Sequence, residues 1–317
     1  MTSPDYVIDL SKKPNKRWAE VAQKEKPVLR KLVNTIKGFV LSIPKPVFNI
    51  ISGFYWLRNA EYLREANAFA DVLGEPRALI QAAQLMYELV HLVDKNSFKE
   101  VPRVGCTTTV AQQSVGGAYE MFRTLDWNLP GMTDCTRTFE FINGKAGTYT
   151  GIGTVGSVGI LTAMHHRGRY CVALNDAPPV HGLRTGAAPS FQIRRAMENC
   201  PTGVDAVAFL RKPRLATSAF FTLCEVDGAV LVEHTGREVK VQAWPTRALV
   251  VTNHYQLFNS AEIGASIDQN SLLRKAAGHE AIHRGDRFAA YTREPINMPI
   301  TQYRARCVPE KLQLALF

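Results

Sequence analysis

The chain has 317 residues, 46% of them hydrophobic, which suits one large domain or one domain with an appendage and requires no disulfide staples. Its six cysteines (Cys106, Cys135, Cys171, Cys200, Cys224, Cys307) are scattered, with no C-x-x-C pair or Cys/His cluster. That argues against structural zinc and for free thiols in a reducing compartment. The net charge of +10 gathers early, ten Lys/Arg against four Asp/Glu in residues 1–46; no aromatics interleave with this basic run, so no nucleic-acid partner is expected.

Residues 1–10 lack a basic region followed by an apolar run, so no secretory signal is read there and a cytoplasmic setting is expected. The basic stretch to about residue 35 reads as a solvated leader. Residues 36–57 are apolar, but Pro44 and Pro46 break any continuous spanning helix. A buried connector is expected there, with peripheral membrane contact as the alternative. Residues 59–73 and 76–93 read as helices; in the second, Leu79, Ala82, Ala83, Met86, Leu89, Val90 and Val93 recur at helical spacing.

From Cys106 the texture changes to strands and tight turns. Strands are predicted over 107–112, 118–125, 136–142, 159–164, 170–174, 219–226, 229–234, 239–244 and 248–252. Ser114-Val115-Gly116-Gly117 and Asp227-Gly228 mark hairpins. Helices are predicted over 190–199, 204–210 and 270–284. Two antiparallel sheets covered by helices, an α+β arrangement, would bury this order.

Cys106 follows Gly105, whose backbone is free to take unusual angles, and opens the β-branched run Thr107-Thr108-Thr109-Val110. The thiol can attack the Gly105 carbonyl, and water can then cleave the resulting thioester. The new N-terminus carries thiol and amine on one residue, so nucleophile and base come together. The α-amine, with an ordinary pKa of ~7.7–8.0, suits a general base near neutral pH.

Gly105-Cys106-Thr107-Thr108 and the later Arg123-x-x-Asp126-Trp127 resemble the start of the mature catalytic subunit in N-terminal-nucleophile (Ntn) hydrolases. Within them the chain resembles the acid ceramidase and N-acylethanolamine acid amidase group, related to bile salt hydrolases. The resemblance runs from about Ala78 to the C-terminus, and residues 81–89 are similar to the last prosegment helix of that group. It implies a four-layer αββα sandwich, a largely helical prosegment over 1–105, a catalytic domain over 106–317 and self-cleavage between Gly105 and Cys106. No cofactor or metal is expected. Carried over residue by residue, Asp126 would hold the freed Cys106 amine, and Arg123 would lie beside the thiol and favour thiolate. Asn175, in Leu174-Asn175-Asp176, would give the oxyanion donor, with Asp176 and Trp127 near the substrate. Asn253, in Thr252-Asn253-His254, would contact the tetrahedral intermediate, and Arg274 would close the site.

The stretch from Gly182 through Leu183 and Arg184 to Pro189-Ser190, followed by Arg194-Arg195-Ala196, is similar to a loop and helix of acyl-coenzyme A:6-aminopenicillanic acid acyltransferases. Read locally, it is a turn before a helix capped by Ser190. His165-His166 lacks a third spaced ligand. Gly151-x-Gly153-x-x-Gly156 lacks the βαβ context of a dinucleotide site and reads as a glycine-rich turn. The expected protein is a self-processing N-terminal cysteine amidohydrolase cleaving a linear, non-peptide amide, an N-acyl amide with a lipid-like chain. The alternatives are an acyltransferase that passes the acyl group to an amine, and a non-catalytic membrane-associated binding protein on the same scaffold.

Overall fold

The computed structural model describes residues 3–42, 45–91, 104–129, 131–182, 185–244 and 248–317, and of residues 42, 45–58 and 104 the backbone alone. The expected break at Pro44, the Val93 end of the second helix, and Leu183 and Arg184 of the acyltransferase-like loop lie outside the described residues. The N-terminal elements are β1 (Tyr6–Asp9), α1 (Pro14–Arg17), α2 (Ala19–Lys24), α3 (Lys26–Ser42), α4 (Lys45–Leu73), α5 (Arg77–Ala83) and α6 (Met86–Leu89). There follow β2 (Val104–Gln112), β3 (Tyr119–Trp127), β4 (Thr136–Ile142), β5 (Tyr149–Thr154), β6 (Thr162–His165), β7 (Tyr170–Asp176), α7 (Pro189–Asn199) and α8 (Gly203–Leu210). The last are β8 (Ala219–Cys224), β9 (Ala229–His234), β10 (Val239–Trp244), β11 (Leu249–Val251), α9 (Gln269–Arg284), α10 (Arg287–Ala290), β12 (Thr301–Val308) and β13 (Gln313–Leu316).

The strands form an eight-stranded sheet, β1-β4-β5-β6-β7-β8-β9-β10, and a five-stranded sheet, β11-β2-β3-β12-β13. The sheets meet through β2 against β7 and β3 against β8. Helix α9 covers β2 and β11, while α7 and α8 cover the larger sheet, giving the αββα layering. Every residue of β3 is buried, because this strand has a second sheet on one face and helices on the other. Asp268 caps the start of α9 and Gly285, at φ 72°, ends it. Within α9, Gly278 permits close approach to the sheet: a Cβ there would lie 2.8 Å from Val250 Cγ1.

Several expectations are corrected. The basic leader is not solvated throughout: β1 pairs in parallel with β4, Tyr6 opposite Phe139. Trp18 is fully buried, with its ring against Phe69, Phe139 and Phe141. Not all cysteines are free: Cys171 on β7 and Cys307 on β12 are joined, tying the two sheets together. Gly151 and Gly153 lie on β5, not in a turn, where their missing side chains make room for Ile160. The expected 76–93 helix is two pieces, because Leu85 leaves helical geometry (φ −104°, ψ 17°). Beside that break, the Gln84 amide donates to the Gly156 carbonyl and accepts from Val158 N–H. Strand β6 starts at Thr162 instead of residue 159, and β1, β5, β12 and β13 were not foreseen.

Candidate active site

The β2–β3 hairpin sets the site. Gly105 faces Asp126, Cys106 faces Leu125 and Thr108 faces Arg123 across the antiparallel pair. Because side chains alternate between faces, Cys106, Thr108 and Arg123 point toward the larger sheet. Thr107, Thr124 and Asp126 point the other way, toward α9. Cys106, Arg123 and Asp126 are all buried, and the peptide bond between Gly105 and Cys106 is intact within β2.

Cys106 Sγ receives Arg123 Nη2 at 3.4 Å, lies 3.8 Å from the Leu174 carbonyl oxygen, and faces the backbone N–H of Asp176. Burial pushes the thiol pKa up, and the Arg123 charge works against it. The thiol of the uncut chain is therefore held protonated, with a cation ready beside it. Arg123 is itself fixed: Nη2 donates to the Leu174 carbonyl at 2.5 Å, and Nη1 donates to the Tyr303 hydroxyl. That hydroxyl lies 2.9 Å from Thr162 Oγ1.

On the amide side, Cys106 N–H donates to Asn253 Oδ1 at 3.0 Å. Arg274 Nη2 donates to the same oxygen at 2.7 Å, while its Nη1 donates to the Cys106 carbonyl at 2.5 Å and to Thr107 Oγ1 at 3.0 Å. Neighbouring Lys275 turns to Gln256 Oε1, at 2.8 Å, so the helix register presents Arg274 to the site.

In the uncut chain Asp126, Asn175 and Gly105 take the following places. Asp126 does not hold the Cys106 nitrogen in the uncut chain: it accepts from Thr301 Oγ1 at 2.6 Å and sits 3.8 Å from Arg274 Nη1. Burial pushes its carboxyl pKa up, partly offset by the Thr301 hydrogen bond and the arginines. Asn175 does not present a free donor: its Nδ2 donates to the carbonyls of Val251 and Thr252 at 3.1 and 3.3 Å, and its Oδ1 accepts from Thr108 at 2.7 Å. The backbone N–H of Asp176 faces the sulfur, and Asn253 Nδ2 donates to the Asp176 carbonyl at 2.8 Å. Gly105 is a regular strand residue paired with Asp126.

Asp176 pairs with His91, Nε2 to Oδ1 at 2.8 Å, which brings the segment before the Gly105–Cys106 bond onto the site. Trp127 lines a cavity of about 80 Å³ with Leu32, Ile36, Met86, Leu161 and Tyr303. Its walls come from both sides of the Gly105–Cys106 bond. Ser190 also borders this cavity and does not cap α7, whose N-cap is Ala188. His165 stacks on Tyr170 and His166 bonds Thr150, so the two rings serve separate packing roles. Tyr303, Thr301 and Thr108 were missed by sequence reasoning: β12 was not recognised as a strand, 105–111 of β2 are buried on both faces, and the contacts with Arg123, Asp126 and Asn175 join residues far apart in the chain.

Two stacked sheets between helices, with a cysteine near the start of an inner strand and an arginine on its sulfur, define an Ntn hydrolase fold. A family model for the beta subunit of N-acylethanolamine-hydrolyzing acid amidase matches residues 2–56. An uncharacterized protein, R632, of Acanthamoeba polyphaga mimivirus is 30% identical over 250 residues, covering 72% of this chain and 71% of that protein. The acid ceramidase of Rattus norvegicus is 24% identical over 251 residues, 69% of this chain and 60% of that protein. The N-acylethanolamine-hydrolyzing acid amidase of Caenorhabditis elegans is 24% identical over 246 residues, 71% of this chain and 66% of that protein. A solved structure of the Caenorhabditis elegans N-acylethanolamine-hydrolyzing acid amidase ortholog superposes with a TM-score of 0.52 at 20% identity, over 67% of this chain and all of that one. The chain belongs to the acid ceramidase and N-acylethanolamine acid amidase group of Ntn hydrolases. It spans about 60% of the length of the rat acid ceramidase.

Proposed function

We propose that this chain is a self-processing cysteine amidohydrolase that cleaves linear N-acyl amides through a thioester. The observation that carries the reading is Cys106 itself, with its sulfur against Arg123 and its scissile amide N–H on Asn253 Oδ1. In the first reaction Sγ adds to the Gly105 carbonyl carbon, the C–N bond breaks, and the thiol proton passes to the Cys106 nitrogen. Water then hydrolyses the thioester, leaving a carboxylate on Gly105 and a free thiol on Cys106. In the second reaction that thiol adds to a substrate amide carbon, with the Cys106 α-amine taking its proton. The departing amine carries a proton away, and water releases the acyl group as the acid. On this reading the Asp176 backbone N–H and Asn253 Nδ2 would meet the developing oxyanion, and Arg123 would stabilise the sulfur. Ceramides and N-acylethanolamines, the compounds in the relatives' names, are both N-acyl amides, and the cavity beside Trp127 offers an apolar wall for part of an acyl chain.

Intact mass and N-terminal sequencing test the first reaction. A fragment beginning at Cys106, absent from Cys106→Ala, supports it; a chain that stays whole across acidic and neutral pH counts against it. An N-acyl amide supplied with and without an added amine tests the second: free acid identifies a hydrolase, and a new amide identifies an acyltransferase.

A further inference from the structure

Asn253 is held at four points, and three of them are explained by the candidate chemistry: Cys106 N–H, Arg274 and the Asp176 carbonyl. The fourth is not. Its backbone N–H donates to Ser271 Oγ at 2.8 Å. That hydroxyl is fully buried in the first turn of α9 and has two further partners, Thr252 Oγ1 at 2.9 Å and His254 Nδ1 at 2.8 Å. One oxygen thus ties three consecutive residues, Thr252, Asn253 and His254, to one helix. Ser271, Arg274 and Gly278 sit three and then four residues apart, on one face of α9. Arg274 grips the Asn253 side chain, Ser271 grips its backbone, and Gly278 lets the same face approach Val250 and Thr109.

We propose that Ser271 is the positioning residue for Asn253, fixing its backbone so that Oδ1 meets the Cys106 nitrogen and Nδ2 faces the reacting carbonyl. This rests on the reading of Cys106 and Asn253 given above. Ser271 itself touches no reacting atom. Its hydroxyl is the common acceptor and donor that fixes where the Thr252–His254 turn stands relative to β2. Removing it leaves the buried Asn253 N–H without an acceptor and frees the turn to rotate. Asn253 would then lose alignment at both its oxygen and its nitrogen.

The test uses the full chain in two forms. In the Cys106→Ala background, which stays whole, hydrogen exchange at the backbone amides of Asn253 and residue 106 is followed by mass spectrometry for wild-type Ser271, Ser271→Ala and Ser271→Thr. In the Cys106 background, the rate of Gly105–Cys106 cleavage is followed for the same three. Ser271→Ala is expected to speed exchange at both amides by about tenfold or more, with β7 to β9 unchanged, and to slow cleavage by roughly 10- to 100-fold. Ser271→Thr, which keeps the hydroxyl, is expected to restore both to within about threefold. Exchange that rises across both sheets, or a failure of Thr to restore either reading, assigns Ser271 to general stability and overturns the proposal. Unchanged exchange at Asn253 and residue 106 also overturns it. If the parent chain never cleaves but the two amides respond as expected, the positioning role stands and the self-processing reading fails. Should Ser271→Ala not fold, His254→Asn against His254→Leu provides the same contrast, since only Asn retains a polar partner for Ser271 Oγ; equal exchange in that pair overturns the proposal.

Discussion

Replacing Glu65 by alanine should loosen the hold of the N-terminal helices on the two-sheet body. The Glu65 carboxylate is fully buried and accepts from Arg17 Nη1, Trp18 Nε1 and Arg194 Nη1, each at 2.6 Å, and from Arg194 Nη2 at 3.1 Å. Arg194 belongs to α7, whereas Glu65, Arg17 and Trp18 all precede the Gly105–Cys106 bond. This cluster therefore binds together the two fragments that cleavage would create. Among the described residues, alanine leaves the buried Arg194 guanidinium with only Glu198 as a charged partner, and the Trp18 indole without an acceptor. Breaking a buried ion pair from one side costs about 3–5 kcal/mol. Set against the ~5–15 kcal/mol that holds a domain folded, this is a large share. Urea unfolding of the uncut Cys106→Ala chain, with and without Glu65→Ala, measures the loss. Gel filtration after cleavage measures the consequence: parent fragments should co-elute, and Glu65→Ala fragments should separate. A double variant, Glu65→Leu with Arg194→Met, removes the Glu65–Arg194 pair but leaves Arg17 and the Trp18 indole without Glu65, and should recover part of the loss. A single variant within about 1 kcal/mol of the parent, or a double variant no better than the single one, would refute this account.

Four further outcomes are expected. Tyr303→Phe removes the hydroxyl between Arg123 and Thr162 and should slow self-cleavage about tenfold; an unchanged time course on a denaturing gel would count against a role for Arg123 at the sulfur. Gly105→Ala should still cleave, since its Cβ would meet Asp126 and Arg274 at 3.4–3.6 Å, ordinary contact distances; a whole chain would mean the reaction itself uses the glycine's freedom. Glu88 is buried, with neither carboxyl oxygen bonded to another of the described residues, and burial pushes its carboxyl up from 4.5 to about 7. The native chain thus keeps a proton that the unfolded chain has lost, so stability falls as pH rises from about 4.5 to 7, by on the order of 3 kcal/mol. Glu88→Gln should flatten that fall in melting curves over this range, and parallel profiles would refute it. His165 and His254, which burial pushes down to about 4, give the opposite slope in both proteins and cancel in the comparison. Finally, Asp126→Asn should slow turnover of an N-acyl amide more than it slows self-cleavage; equal effects would place Asp126 in both reactions alike.

What was legible in the sequence follows the range over which residues interact. Cys106, Arg123 and Asp126 stood out because one hairpin carries all three, and strand alternation then decides which face each takes. Asn253 and Arg274 could be named from short motifs, but their meeting at one oxygen depends on α9 folding back over β2. The partner of Asn253 N–H lies 18 residues away, at the start of that helix, and has no motif of its own. The Cys171–Cys307 link joins positions 136 residues apart on different sheets, a pairing that cysteine spacing cannot give. Strand β12 was masked by its charges, although Tyr303, Ala305 and Cys307 alternate as buried positions with Arg304 and Arg306 between them. The N-terminal segment read as leader because its apolar residues are few; its place is set by Trp18 and by ion pairs whose partners lie far along the chain.

The position of Asp126 makes sense once the uncut chain is seen as a reactant. The Cys106 amide nitrogen has a single hydrogen, and Asn253 takes it. Asp126 lies on the opposite side, with its Oδ2 at 3.5 Å from where a Gly105 side chain would begin. While the peptide bond is intact, nothing there can donate to it from Cys106, and the carboxylate is satisfied by Thr301 instead. On the proposed reading, cleavage frees Gly105 to leave and turns the amide into an amine with additional hydrogens. One hydrogen can stay on Asn253 while another turns toward Asp126. A buried carboxyl whose pKa burial has raised gains most from such a donor, because a charge-assisted hydrogen bond offsets the cost of its desolvation. On that reading Asp126 is matched to the product of the first reaction, which is the reagent of the second, and Asn253 to both.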